Sequence, residues 1–133
     1  MRFPAVHDSE EQLKQAKALL EAGNNEPARL RLLEVLRREP DNITALLMLG
    51  GVYFHEQKYA EAEMVYERLV LAEPGSGILS IALFNCLWKQ GRYEEAAEEI
   101  RRFIAVADRE QERETLERYA VISKAIAEGE WNG

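Results

Sequence analysis

Apolar positions recur along this chain at helical spacing. Leu46, Leu49, Gly50 and Tyr53 fall at i, i+3, i+4 and i+7, and Ala62, Tyr66, Leu69 and Val70 at i, i+4, i+7 and i+8. Each set makes one apolar stripe with polar residues on the other faces, the pattern of an amphipathic helix. The second stripe recurs as Ala28, Leu32, Val35 and Leu36, and again as Ala96, Ile100, Phe103 and Ile104. No segment sustains the period-two alternation of a strand, so the pattern predicts an all-α chain. The breaks are legible as well. Gly23 and Gly91 suit left-handed residues ending a helix, and Pro27 fits a first helical turn. Pro40 and Pro74 stop helices, because the residue before a proline is pushed out of helical geometry.

The stripes form a repeat. Ala28, Ala62 and Ala96 are thirty-four residues apart, as are Pro40 and Pro74. The same step relates Leu19, Tyr53 and Leu87, then Leu32, Tyr66 and Ile100, then Val35, Leu69 and Phe103, with Tyr59 and Tyr93 also in register. Small residues carry a geometric expectation: Gly50 facing Ala62 lets two helices approach at the close end of the usual spacing of roughly 8–10 Å.

These residues resemble the tetratricopeptide repeat family, whose signature runs large apolar, Leu, Gly, Tyr, Ala, aromatic, Pro. The unit Ile43–Ser76 matches as Leu46, Leu49, Gly50, Tyr53, Ala62, Tyr66, Leu69 and Pro74. The resemblance implies an α-solenoid of antiparallel helix pairs in a right-handed superhelix, about seven helices in all. It divides the chain into an N-terminal arm (1–8), repeats at 9–42, 43–76 and 77–110, a capping helix (111–129) and a tail (130–133), one domain overall. The first repeat departs at Gln12 and Gln15. The third departs at Ser80, at Phe84 in the glycine position and at Asp108 in the proline position. Phe84 opposite Ala96 is expected to splay or rotate the third pair, and the missing proline to let its second helix run on. The capping helix is expected to turn Leu116, Tyr119, Ala120, Ser123 and Ile126 to one side, with Trp131 beyond it folding back or fraying.

The resemblance also implies that the first helices of successive pairs line a concave, ligand-binding groove. Its positions are Glu10, Leu13, Lys17, Leu20 and Glu21, then Thr44, Leu47, Gly51, Phe54 and His55, then Ile78, Ile81, Asn85, Trp88 and Lys89. Leu47, Phe54, Ile78, Ile81 and Trp88 lie off the core stripe and would make an exposed apolar strip, a common mark of a binding site. Leu13 and Leu20 share a further stripe with Ala16 and are equally readable as core. The expected ligand is an amphipathic helix or extended peptide. The Lys/Asn/Arg clamp by which related co-chaperones grip a C-terminal carboxylate is replaced here by Leu13, Lys17, Met48, Ile78 and Ala82. Secretion chaperones of bacterial type III systems are similar to the chain in size and groove character.

Charge narrows the partners. The chain has 133 residues and a formal charge of −7, which argues against binding a phosphate backbone. Arg29, Arg31, Arg37 and Arg38 form a basic group among acidic neighbours and read as a solvated face. No apolar run is long enough to span a membrane, and no secretory apolar stretch opens the sequence. With one cysteine, Cys86, the expected location is cytoplasmic.

Catalytic chemistry finds little to work with. His7 and His55 lack metal-ligand partners at suitable spacing, Gly50–Gly51 reads as helix packing rather than a phosphate loop, and Cys86 as a small buried residue. Glu94–Glu95 and Glu98–Glu99 read as helix-face charges with Arg101 and Arg102 nearby. The chain therefore reads as a non-enzyme with no metal or cofactor: an adaptor or chaperone-like module binding a protein or peptide, and neither nucleic acid nor membrane. The alternative is a self-assembling structural module whose apolar surface, or end helix with Trp131, pairs with a second copy.

Overall fold

The computed structural model describes residues 6–130, so Trp131 lies outside the described residues. Among them are seven helices and no strand: α1 (Val6–Glu21), α2 (Asn25–Arg38), α3 (Ile43–His55), α4 (Tyr59–Ala72), α5 (Gly77–Lys89), α6 (Tyr93–Val106) and α7 (Arg113–Ala127). No helix among them is long and apolar enough to cross a membrane. The chain divides into two compact units, one ending at Lys58 and the other beginning at Tyr59.

In the first unit, α2 packs on both α1 and α3. Its core takes Ala28, Leu32, Val35, Leu46 and Leu49 from the predicted stripes and adds Ala16, Ala45 and Val52, all buried, whereas Leu36 and Tyr53 of those stripes are half-buried. Gly23 ends α1 at φ +83°, and the Asn24 amide reaches back to the Leu19 carbonyl at 2.8 Å. This closes an end that would otherwise leave carbonyls unsatisfied. Asn42 starts α3 by accepting the Ala45 amide at 2.9 Å, a side-chain cap. Glu39 joins three elements: its carboxylate accepts from Ser9 of α1 and from Asn42. Arg29 is less solvated than its charge pattern suggests, since it is paired with Glu26 and, at 3.1 Å, with Glu56 at the end of α3.

In the second unit, α5 is the central helix, packed on α4 and α6, and α7 lies against α5 and α6. Ala62, Leu69, Leu83, Phe84, Cys86, Leu87, Ala96, Ile100 and Phe103 are buried. Ser76 caps α5 by accepting the Leu79 amide at 3.3 Å. Phe84 is buried, its ring 5.7 Å from Trp88 and 5.9 Å from Tyr119 of α7. The bulk that replaces glycine is thus taken up by an aromatic cluster that includes the C-terminal helix. α6 does not run on for want of a proline. It stops at Val106, and the Asp108 carboxylate accepts the Glu110 and Gln111 amides at 3.0 and 2.8 Å, holding the turn that follows. Two stripe expectations fail: Ile104 is exposed, and on α7 Ala120 and Ser123 face solvent while Tyr119 is buried.

The thirty-four-residue register exposes one irregularity. Gly23, Gln57 and Gly91 occupy equivalent helix ends, and all three have positive φ, 83°, 64° and 76°. Gln57 therefore holds the left-handed conformation with a side chain that resists it.

Candidate protein-binding site

In the first unit, four of the predicted groove residues come together. Leu20 of α1 and Leu47, Gly51 and His55 of α3 line an open depression of about 480 Å³, joined by Met48 and Val52 and by the turn residues Gly23 and Asn25. The spacing explains this: Leu47, Gly51 and His55 are i, i+4 and i+8, so they stack along one face of α3. Leu47 is exposed, Leu20 and Met48 half-buried, and Gly51 and His55 open to solvent. Leu13 is half-buried, Lys17 exposed and Phe54 half-buried, and none of the three lines the depression. Gly51 is not a packing glycine, because a Cβ added to it would meet nothing within 4 Å. Gly50 beside it is buried, as expected.

In the second unit, Ile78, Ile81, Asn85 and Trp88 run along one side of α5. Ile78 is 78% exposed, the next three are half-buried and Lys89 is exposed. The five-residue apolar strip is therefore not uniformly open: Leu47 and Ile78 are exposed, whereas Phe54, Ile81 and Trp88 are half-covered. Trp88 is held by rings, 5.7 Å from Phe84 and 4.4 Å from Tyr93. The first pair is stacked and the second tilted, and such aromatic pairs contribute about 0.5–1.5 kcal/mol beyond area burial, so the indole is a positioned surface.

A buried polar network in the second unit is not visible in the periodicity. Ser80 donates to Glu99 Oε2 at 2.8 Å and lies 2.8 Å from the Tyr119 hydroxyl. Arg102 pairs with Glu99 and donates to the Pro74 carbonyl at 2.9 Å. Glu98 and Arg101 remain a surface pair, but Glu99 is buried and is not the helix-face charge its neighbours suggest. Burial pushes the Tyr119 phenol well above its usual range. The signal available in the sequence was Ser80 itself, a small hydroxyl where the repeat has a large apolar residue.

A cleft in this unit is charged. Glu63, Glu67, Glu95, Arg92 and Arg102 surround Leu83 and Leu87 in an open space of about 420 Å³. Burial pushes the Glu63 carboxyl up, but hydrogen bonds from Gln90, Glu67 and Arg92 outweigh it and hold it low; Glu67 is raised by burial and by Glu63. The Cys86 thiol is pushed up to about 12 by burial, which leaves negligible thiolate at neutral pH. Among the described residues no group of three His, Cys, Asp or Glu side chains is placed to hold a metal.

Helix pairs repeated at a constant step, with side chains presented from their first helices, define a helical-repeat protein. Two tetratricopeptide repeat family models match the sequence, over residues 13–78 and 53–113, and the chain belongs to the tetratricopeptide repeat family, whose members serve as protein-interaction modules. No curated protein sequence matches it significantly. Three solved structures show the likeness of fold. An O-GlcNAc transferase mutant from Thermobaculum terrenum is 23% identical with a TM-score of 0.66, over 79% of this chain. The chain spans only 20% of that enzyme's length. A MamA mutant is 22% identical (TM-score 0.70; 96% of this chain, 73% of that one). The type III secretion translocator chaperone SycD of Yersinia enterocolitica is 18% identical (TM-score 0.73; 92% and 94%).

Proposed function

We propose that this chain is an adaptor or chaperone-like module that binds an amphipathic helix or extended peptide on the faces of its first helices. The observation that carries this reading is the open depression in which Leu20, Leu47, Met48 and Val52 stand beside Gly51, Asn25 and His55. In the second unit, taken by itself, the Ile78 side chain on α5 is also exposed. Apolar anchors in pockets typically dominate peptide affinity. The chaperone SycD, similar in fold and nearly equal in extent, fits the same reading. On this view the chain needs neither nucleic acid nor membrane and has no catalytic role, and its single buried cysteine suits the cytoplasm.

The test uses twelve-residue peptides selected from a display library against the wild-type chain. Leu47→Asp and Ile78→Asp should each weaken the selected peptides about tenfold or more, about 1.4 kcal/mol, with the far-ultraviolet circular dichroism unchanged. Undiminished affinity in both variants would remove the proposal.

A second reading is self-association. It is favoured by Met64 and Leu71 on α4, which are 68% and 82% exposed. The SycD structure is of an alternative dimer. Sedimentation equilibrium across a wide concentration range separates the readings, since a constant monomer mass excludes the assembly.

A further inference from the structure

The connection from α6 to α7 differs in kind from the others in the chain. Each of the others holds a residue that interrupts a helix, either a proline (Pro40, Pro74) or a residue at positive φ (Gly23, Gln57, Gly91). Residues 107–112 read Ala, Asp, Arg, Glu, Gln and Glu, with no proline, no glycine and no positive φ. Ala, Arg, Gln and Glu are among the best helix formers. Part of this connection already has helical bonding, since the Glu112 amide donates to the Asp108 carbonyl at 2.9 Å. The break falls at Ala107, with φ −71° and ψ 143°; that φ is helical and only ψ is not. The Asp108 carboxylate holds the break by accepting the Glu110 and Gln111 amides. In a straight helix those amides would instead reach the carbonyls of Val106 and Ala107. One backbone torsion and one side-chain cap thus separate the observed turn from a continuous helix running from Tyr93 to Ala127.

α7 is attached in a way that suits exchange. Among its residues only Tyr119 is buried. The Tyr119 ring lies 5.9 Å from Phe84 and 5.7 Å from Phe103, and its hydroxyl lies 2.8 Å from Ser80. Straightening the connection would carry Tyr119 out of this seat and open Phe84 and Phe103 to water, which is unfavourable for a chain on its own. A second copy straightened in the same way offers an identical α7 to an identical seat. The seat is chemically particular. It takes a ring between two phenyl groups and a phenolic proton on Ser80 Oγ, whose own proton goes to Glu99 at 2.8 Å. Exchanging identical elements restores these contacts at low cost.

We propose that residues 107–112 are a hinge and that two copies of this chain exchange α7, each placing Tyr119 in the other copy's seat of Phe84, Phe103 and Ser80. This interface is independent of the peptide-binding reading and of the exposed α4 side chains.

The experiment refolds the whole chain from urea at high concentration as a mixture of carbon-13-labelled and unlabelled copies. Sedimentation equilibrium should show a dimer, and in it the nuclear Overhauser contact between the Tyr119 and Phe103 rings should cross from labelled to unlabelled copies. Asp108→Ala removes the cap from both hinges and should raise the association constant about tenfold. Asp108→Pro suits the extended Ala107 that precedes it but forbids the continuous helix, so it should leave a monomer with unchanged far-ultraviolet circular dichroism. Leu71→Asp should leave the dimer intact. A monomer in both the wild type and Asp108→Ala, or ring contacts confined within single copies, would overturn the exchange. A dimer that persists in Asp108→Pro would overturn the hinge, and one lost in Leu71→Asp would move the assembly to α4.

Discussion

Removing the Ser80 hydroxyl should cost the second unit more than removing the Tyr119 hydroxyl, although the two atoms share one hydrogen bond. The reason lies in counting protons. A serine has a single hydroxyl proton, and Ser80 gives it to the Glu99 carboxylate at 2.8 Å. The contact between Ser80 and Tyr119, also 2.8 Å, must then run from the phenol to the Ser80 oxygen. Tyr119→Phe deletes the donor and leaves Ser80 still paired with Glu99, so the loss is a net hydrogen bond, about 0.5–1.5 kcal/mol. Ser80→Ala deletes the acceptor and leaves a phenolic O–H inside a fully buried side chain, a loss of about 1–3 kcal/mol. Glu99 would keep Arg102 in either variant. In the double variant no orphaned phenol remains, so the two losses should sum to more than the measured total, with a coupling of about 0.5–3 kcal/mol. Urea unfolding of the four proteins at neutral pH measures this, provided the denaturant slope is constant. Strict additivity, or a larger loss from Tyr119→Phe than from Ser80→Ala, would refute the assignment of donor and acceptor.

Three further outcomes are expected. Gln57→Gly should stabilise the chain by about 1 kcal/mol, because it relieves a left-handed side chain at φ 64°; a lower thermal midpoint would contradict this. Gly77→Ala should destabilise the second unit by about 1–3 kcal/mol, because a Cβ there would lie 2.9 Å from Thr115 Cβ and too close to the Thr115 and Glu112 oxygens, forcing the start of α7 away. Hydrogen exchange should show the change concentrated in α7. The Glu39 carboxyl is held below its usual range by hydrogen bonds from Ser9 and then Asn42. Its folded value is the lower one, so its contribution is complete above the ordinary carboxylate value of 4.5 and is lost as pH falls through the folded value. Glu39→Gln should make stability less dependent on pH on the acid side, as read by urea midpoints from pH 6 downward; an unaltered acid slope would deny the contact.

Much of the fold is legible in the chain itself. The apolar period of 3.6 is a local property, so the stripes through Ala28, Ala62 and Ala96 locate their helices without reference to anything distant. Turn chemistry is local too, and α3 and α5 begin at Ile43 and Gly77, where the thirty-four-residue step starts its second and third units. The candidate site was legible as a set of positions, of which Leu20, Leu47, Gly51 and His55 meet in one depression.

Tertiary structure decided the rest, because coverage depends on which neighbour lies alongside. Ile104 and Phe103 are adjacent and both apolar, yet Phe103 meets Tyr119 edge-on at 5.7 Å while Ile104 faces water. Ser80, Glu99 and Tyr119 are separated by 19 and 39 residues from Ser80, and no local pattern could announce that three helices would bring them to one buried hydrogen-bonded point. Gly50 and Gly51 look alike in sequence, but one is buried and the other opens onto empty space. Periodicity states which face of a helix is apolar; only the packing of its neighbours determines which apolar residues remain available to a partner.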